Sequence, residues 1–172
     1  LFPYTTLFRS IVKPQDLDIV DDEGVYDGES HSIEVTSQLD EGEILWYRTG
    51  DSDWSEDNPG FVGVGEYTVN VKVTKPDHED RTGFGTVTIS ARPITVTADA
   101  KTKVQGEDDP PLTYEVTGEL VEGDSFTGVL ERDEGEIAGT YAIKQGSLVL
   151  SDNYTLTYVG ATLTILASDA EL

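Results

Sequence analysis

A short strand pattern that occurs twice constrains the fold of this chain more than any other feature. In residues 65–73 a glycine is followed by Tyr67 and then by valines at every second position, and the pattern returns around Tyr141 at residues 139–143. A second alternating stretch follows each copy, at residues 86–89 and 162–165. Such alternation is typical of a β-strand with one buried face. The sequence therefore predicts two copies of one β unit.

Spacing and turn residues divide the sequence into two units. Tyr67 and Tyr141 lie 74 positions apart, which is close to the length of a small β-sandwich domain. Short alternating stretches are bounded by Gly, Pro or Asp, and no stretch has helical spacing. We predict an all-β chain of two tandem Ig-like β-sandwich domains at residues 11–92 and 93–167. Residues 168–172 are expected to begin the next linker.

Pro93 marks the predicted boundary between the two units. Proline has no backbone N–H to donate to a sheet ladder, so it is tolerated at the start of a strand. No Gly/Ser-rich linker flanks it. Because flexible linkers have that composition, the sequence predicts a stiff tandem with limited hinge freedom.

Residues 1–10 differ from the rest of the chain. They are apolar and basic, and they resemble the conceptual translation of a sequencing-adapter oligonucleotide. We expect an artefact that takes no part in the fold. The alternative is a short strand or the tail of a preceding domain.

The charge balance limits the partners of this chain. It carries 34 acidic and 11 basic side chains, for a net charge of −23. A spread acidic surface favours solubility and argues against nucleic acid or an anionic membrane as a partner. The absence of cysteine excludes a disulfide framework and a thiolate metal site. No apolar run is long enough for a membrane span, so membrane insertion is not expected.

The two repeated tyrosines are predicted to be structural. In immunoglobulin domains a tyrosine near the start of strand F bonds to backbone at a corner, two residues before a cysteine. Val69 and Ile143 stand where that cysteine would be. We therefore expect buried rings for Tyr67 and Tyr141, with hydroxyls bonded to nearby backbone. Trp46 is expected to pack into the same space.

Two acidic loops are the candidate cation sites. Calcium takes six to eight oxygen ligands, mostly from carboxylates and carbonyls. The EF-hand spacing is absent, and a plain structural turn is the alternative interpretation. The candidate ligands are Asp21, Asp22, Glu107, Asp108 and Asp109.

Three aromatic residues in predicted loops are the candidate ligand-binding residues: Trp54, Phe61 and Phe84. Aromatic side chains on loops stack on sugars or anchor protein partners; the alternative is that they close the end of a sandwich. His31 and His78 are isolated, and no base and orienting acid accompany a nucleophile. We expect no catalytic residues and no enzyme activity, and no cofactor unless calcium is bound.

A series of motifs runs through the second unit in a fixed order. The motifs are Lys103-x-x-Gly106-x-x-Asp109-Pro110-x-Leu112-Thr113-Tyr114, Gly123-Asp124, Gly139-Thr140-Tyr141, Asn153-Tyr154-Thr155-Leu156 and Gly160-x-x-Leu163-Thr164-Ile165. With them the second unit resembles the bacterial MBG domain family, although Gln105 stands where the family often has tyrosine. The first unit resembles a related Ig-like repeat of the YDG type. Its matching residues are Tyr26-Asp27-Gly28, Asn58-Pro59, Gly65-x-Tyr67 and Lys75-Pro76.

The resemblance implies a location and a role. Such repeats occur in large secreted or cell-surface bacterial proteins, often as stalks of adhesins. It implies an extracellular spacer, anchored through parts outside this sequence, whose partners are neighbouring repeats of the same chain. The alternative is a module that binds a glycan or a host surface protein through its loop aromatics.

Overall fold

The computed structural model describes residues 17–168. This part of the chain forms thirteen β-strands and contains no helix, which confirms the predicted all-β class. None of the described residues forms a helix long and apolar enough to cross a membrane. The expectations for residues 1–10 and 169–172 lie outside the described residues.

The described residues fall into two compact units. The first comprises the residues up to Gly24 together with Glu29–Ser90, and the second comprises Val25–Gly28 and the residues from Ala91 onward. Val25–Gly28 therefore belongs with the second unit, although the predicted boundary placed it in the first.

The first unit contains a four-stranded sheet of order β2-β6-β5-β4 and a two-stranded sheet of β1 and β3. β4, β5 and β6 are successive antiparallel neighbours. The alternation noted in the sequence gives β5 a fully buried row of valines, at positions 69, 71 and 73. The strands are β1 (Ile19–Val20), β2 (Asp22–Val25), β3 (Glu34–Val35), β4 (Ile44–Thr49), β5 (Gly65–Thr74) and β6 (Arg81–Ser90).

Two glycines of β6 leave space for side chains that pack between the two-stranded sheet and the four-stranded sheet. A Cβ at Gly83 would lie 2.7 Å from Ile19 Cδ1. A Cβ at Gly85 would lie 2.7 Å from Ile19 Cγ2 and 2.9 Å from Ile33 Cγ2. These distances are too short for real carbon contacts, so close packing of the two sheets requires glycine here.

The second unit contains two sheets, of order β12-β7-β9 and β10-β11-β13-β8. β7 pairs with β12 in parallel and β8 pairs with β13 in parallel, whereas the other pairings are antiparallel. The strands are β7 (Arg92–Ala98), β8 (Lys101–Val104), β9 (Tyr114–Thr117), β10 (Glu131–Arg132), β11 (Gly139–Lys144), β12 (Tyr154–Val159) and β13 (Ala161–Leu166).

The core of the second unit draws side chains from both sheets, as in a β-sandwich. Val96 and Ala98 come from β7, and the remainder come from β11, β13 and two loops. The loop residues are Leu130 and Leu148. The structure has only an isolated bridge there, between Thr127 and Val149. The buried cluster is Val96, Ala98, Leu130, Ile143, Leu148, Leu163 and Ile165.

Candidate functional site

Trp54 lies against two cations of the first unit. The guanidinium carbon of Arg48 and the ammonium nitrogen of Lys72 each lie 4.6 Å from its ring centroid. Arg48 stands on β4 and Lys72 on β5, and both belong to the outward row of side chains. Cation–π attraction is worth about 0.5–1 kcal/mol at exposed sites. The two contacts hold the loop of Trp54 over the sheet.

Phe61 and Phe84 lie in different surroundings. Phe61 stacks on Tyr67 at a centroid distance of 4.2 Å with an interplanar angle of 11°. Phe84 is on strand β6, not in a loop, and is 68% exposed. It is paired with Asn70, which is paired in turn with Arg48. The structure thus brings Phe84 and Trp54 to the outward face of one sheet, and places Phe61 against Tyr67.

Four of the five predicted cation ligands have protein partners, and the five are divided between the two units. Asp21 accepts a hydrogen bond from the backbone N–H of Thr86 at 2.7 Å, and Asp22 lies 3.0 Å from Nδ1 of His31. In the second unit Glu107 accepts from the N–H of Val104 at 2.8 Å. Asp108 is exposed, and Asp109 faces two basic side chains.

Within the described residues, no three His, Asp or Glu side chains are grouped closely enough to hold a metal ion. Calcium binding therefore stays a prediction.

Both repeated tyrosines donate to a carbonyl four residues upstream. The hydroxyl of Tyr67 donates to Gly63 O at 3.0 Å, and that of Tyr141 donates to Ile137 O at 2.9 Å. Both rings are half-buried, less than the burial expected from the sequence. Val69 and Ile143, two positions on, are 0% and 2% exposed.

Trp46 does not pack beside Val69. It is paired with Lys72 on the outward row of β4, where its Nε1 donates to Thr74 Oγ1 at 2.9 Å. Its neighbour Tyr47, opposite Val71, is the buried aromatic residue. Successive side chains of a strand point to opposite faces, so Tyr47 takes the inward place and Trp46 cannot.

Four charged side chains of the second unit form a cluster of mutual ion pairs. Lys103 Nζ lies 2.7 Å from Asp109 Oδ1 and 2.5 Å from Glu136 Oε2. Arg132 binds Asp109 with two nitrogens, Nε at 2.6 Å and Nη2 at 3.0 Å, and also bonds to Glu136. We call Lys103, Asp109, Arg132 and Glu136 the ion cluster.

The ion cluster also fastens a turn of the chain. Arg132 Nη1 donates to the carbonyls of Asp133 and Gly135, at 2.9 and 2.7 Å. Its guanidinium lies 5.7 Å from the ring centroid of Tyr141. Arginine suits this place because its planar fork binds a carboxylate bidentately while donating to other acceptors. The cluster therefore fixes the turn between β10 and β11.

The cluster shifts the titration of its own members. Hydrogen bonds from Arg132 and then Lys103 lower the pKa of Asp109, and bonds from Lys103 and then Arg132 lower the pKa of Glu136. The pKa of Lys103 is raised by its bonds to Asp109 and Glu136, against the effect of burial. The Lys103 side chain is only 3% exposed. A buried ammonium is stable only when paired in this way, so the cluster is a structural device.

A second polar cluster in the second unit joins two tyrosines through one carboxylate. Asp124 Oδ2 accepts from the hydroxyl of Tyr26 at 3.0 Å and from that of Tyr154 at 2.6 Å. The rings meet edge to face at a centroid distance of 5.5 Å, and Val121 N donates to the Tyr154 hydroxyl. Burial, followed by Asp124, raises the pKa of both tyrosines. These contacts explain why Val25–Gly28 belongs to this unit.

Sequence reasoning missed both clusters. A signal for the first was present, because Lys103 and Asp109 are in the motif series of the second unit. Arg132 and Glu136 lie in a charged stretch of the sequence, which by itself indicates no partner. Tyr26 was assigned to the first unit, and nothing in the sequence connects it with Asp124.

Comparison with known families now assigns the second unit. Residues 94–164 match the MBG domain family (YGX type). This match confirms the predicted resemblance and extends from β7 into β13, including every member of the ion cluster. The YDG-type resemblance of the first unit stays a prediction. No curated protein matches the chain.

Among solved structures, a distant likeness covers most of the chain. It is a complex described as "Bacteroides ovatus mixed-linkage glucan utilization locus (MLGUL) SGBP-B in complex with mixed-linkage heptasaccharide". The identity is 14% and the TM-score 0.33, over 88% of this chain and 48% of that one. This chain therefore spans about half the length of that protein. A likeness at this level supports no conclusion about function.

Proposed function

We propose that the two units are non-catalytic spacer repeats of a bacterial cell-surface or secreted adhesin-like protein. In this role they hold a distal binding domain away from the cell. One observation carries the proposal: β6 ends at Ser90 and β7 begins at Arg92, so only Ala91 separates the last strand of one unit from the first strand of the next. One residue offers few backbone torsions, whereas a Gly/Ser linker behaves as a flexible coil.

The chemistry of the MBG-like unit supports a structural role. Its perturbed charged groups in the described region, the members of the ion cluster, are bonded to one another and to turn carbonyls. Catalytic groups with perturbed pKa values face a cleft that admits a substrate, whereas these bonds hold loops in place. The net charge of −23 adds self-repulsion, which disfavours association between copies.

A distance distribution between the two units tests the spacer role. The chain has no native cysteine, so spin labels can be placed at Glu41→Cys and Asp152→Cys, both exposed positions. The chain passes between the units at three places, after Gly24, after Gly28 and at Ala91. The matched control carries the same labels and a flexible Gly/Ser insert at each of these places. We expect a narrow distribution for the native connections and a broad one for the control. Equally broad distributions in both proteins would refute the spacer role.

A second candidate, binding of a glycan or a host surface protein, is favoured by one observation. Phe84 is 68% exposed on the sheet face that also carries Asn70, Arg48 and Trp54. A glycan array with the full chain and with Phe84→Ala tests this candidate. Val129→Ala, another largely exposed residue (63%), is the control. Binding lost only in Phe84→Ala would support a ligand site, and an array without signal would count against glycan binding.

A further inference from the structure

We infer that the second unit is a mechanical clamp, which resists tension applied along the chain. This inference deepens the proposed spacer role, which supplies the tension, but the clamp itself is a property of one unit. It rests on how the first two strands of that unit pair with its last two strands.

Two long segments of the second unit run side by side in one direction. Residues 92–104 contain β7 and β8, and residues 154–166 contain β12 and β13. β7 pairs with β12 in parallel, with Arg92 opposite Tyr154, and β8 pairs with β13 in parallel, with Lys101 opposite Leu163. The partner lies 62 positions later in both cases. The two segments therefore keep one register while passing from one sheet to the other.

Backbone hydrogen bonds close this pairing at both of its ends. At the start, Arg92 N donates to Asn153 O at 2.9 Å, and at the finish Gln105 N donates to Leu166 O at 2.8 Å. Parallel ladders have evenly spaced bonds. The paired segments thus form a seam of two ladders in one register, β7 with β12 and then β8 with β13, separated by the few residues where the chain changes sheet. We call these two ladders the seam; it begins where the chain enters the unit and finishes near residue 166.

The direction of loading decides how this seam breaks. Tension enters at the start of β7 and leaves at the end of β13, so it pulls the two parallel segments past each other along their length. All the seam bonds then share the load, and none can open until many open together. A pull at the same end of both segments would instead open the bonds one after another. Resistance to forced unfolding is set by the barrier to unfolding rather than by the equilibrium free energy.

Pro93 removes no hydrogen bond from the pairing of β7 with either of its neighbours. Arg92 N faces β12, and because backbone groups alternate sides along a strand, Pro93 faces the opposite neighbour, β9. Pairing with β9 begins only at Thr95, opposite Thr117. The residue without an N–H therefore stands where no ladder bond is needed.

Single-molecule force spectroscopy with defined pulling points tests the clamp. In the full chain, handles at Ser90→Cys and Ala167→Cys apply the force at opposite ends of the seam. Handles at Asp108→Cys and Ala167→Cys load the same end of β8 and β13 and peel them apart. All three positions are exposed, and the cysteine-free chain leaves no other attachment point. We expect a severalfold higher unfolding force in the first geometry. Equal forces in the two geometries would overturn the inference.

A backbone variant sharpens the test. By the same alternation the N–H of Thr157, on β12, faces β7, so Thr157→Pro removes one seam bond, whereas Thr157→Ala keeps it. We expect the proline variant to lower the unfolding force across the seam while the alanine variant retains it. An unchanged force in a folded Thr157→Pro would count against the clamp. This test can fail independently of the spacer test. The distance measurement reports the freedom between the units, whereas the unfolding force reports the seam within the second unit.

Discussion

The two units share a strand pair but embed it in different sheets. In the first unit β5 pairs with β6. Gly65 lies opposite Ile89, and Tyr67, two residues later, lies opposite Val87. In the second unit β11 pairs with β13 in the same arrangement, with Tyr141 opposite Leu163. The glycine there is also opposite an isoleucine, at position 165. The repeated sequence pattern therefore specifies an antiparallel pair with a fixed register.

What surrounds that pair differs between the units. β6 follows β5 directly, through a short turn after Thr74, whereas β12 lies between β11 and β13 in the chain and joins the other sheet. β13 then takes β8 as a parallel neighbour. Parallel neighbours require a long connection in the chain, which residues 105–160, from β9 to β12, supply between β8 and β13. The comparison shows that the same sequence pattern can form a pair of successive strands, as in β5 and β6, or a pair with another strand between them in the chain, as in β11 and β13.

Truncation of the residue opposite each tyrosine gives the largest expected effect. Leu163 and Val87 are both 0% exposed. Leu163→Ala should lower the free energy of unfolding of the second unit by about 2–5 kcal/mol. Val87→Ala should lower that of the first unit by less, because it removes fewer carbon atoms.

Two spectroscopic probes separate these effects. Both tryptophans, Trp46 and Trp54, are in the first unit, so their fluorescence reports that unit, while far-ultraviolet circular dichroism reports both. In a denaturant titration we expect Leu163→Ala to move only the dichroism and Val87→Ala to move the fluorescence transition. Movement of the tryptophan transition by Leu163→Ala would contradict the assignment of each pair to its own unit.

Acid should weaken the second unit through the ion cluster, which has no counterpart in the described residues of the first unit. The pKa values of Asp109 and Glu136 are lowered from their ordinary values of 3.8 and 4.5. Their stabilisation is therefore complete above those ordinary values and is lost as the pH falls through the lower values of the folded state. We expect the melting temperature of the second unit to fall as the pH is lowered below about 4.

A variant of Lys103 isolates this contribution from the many other carboxylates of the chain. In Lys103→Met the two carboxylates lose one cation, so their pKa values should return toward the ordinary range. We expect the variant to melt lower at neutral pH and to lose less further stability on acidification. Tryptophan fluorescence of the first unit is the internal control. Identical acid profiles for the parent and the variant would show that the cluster does not control acid stability.

Local patterns predicted the strands of the repeated pair and the hydroxyl bonds of Tyr67 and Tyr141, because both depend on residues within a few positions. They failed where a strand is apolar on both faces. In β4 alternation does not decide between Trp46 and Tyr47, and the inward place went to Tyr47.

Phe84 was wrongly assigned to a loop because of the glycines on either side of it. It stands between Gly83 and Gly85, and glycines commonly mark turns. In the structure they leave room for Ile19 and Ile33 on the buried side of β6, while Phe84 occupies the exposed side. The need for glycine arises from a partner more than fifty positions away. The ion cluster and the seam depend on equally distant pairings, which no local pattern contains.

The glycine that begins each repeated strand gives the smallest expected effect and the sharpest comparison. A Cβ at Gly65 would lie 3.0 Å from both Cζ and Oη of Tyr67, whereas a Cβ at Gly139 has no neighbour closer than 3.8 Å. The Tyr67 ring has little freedom to move, since Phe61 stacks on it and its hydroxyl is bonded to Gly63 O. Gly65→Ala should therefore cost about 1–3 kcal/mol through overpacking.

Gly139→Ala should be neutral or stabilise the second unit by about 0.4–1 kcal/mol, because alanine restricts the unfolded chain and meets no obstacle in the folded one. Gly139 has no positive φ that alanine would strain. Chemical denaturation, followed by fluorescence for Gly65→Ala and by circular dichroism for Gly139→Ala, measures both changes. Equal destabilisation at the two positions would mean that the strand pattern requires glycine for the backbone itself. A loss at Gly65 alone would mean that the requirement comes from the ring that Phe61 holds in place.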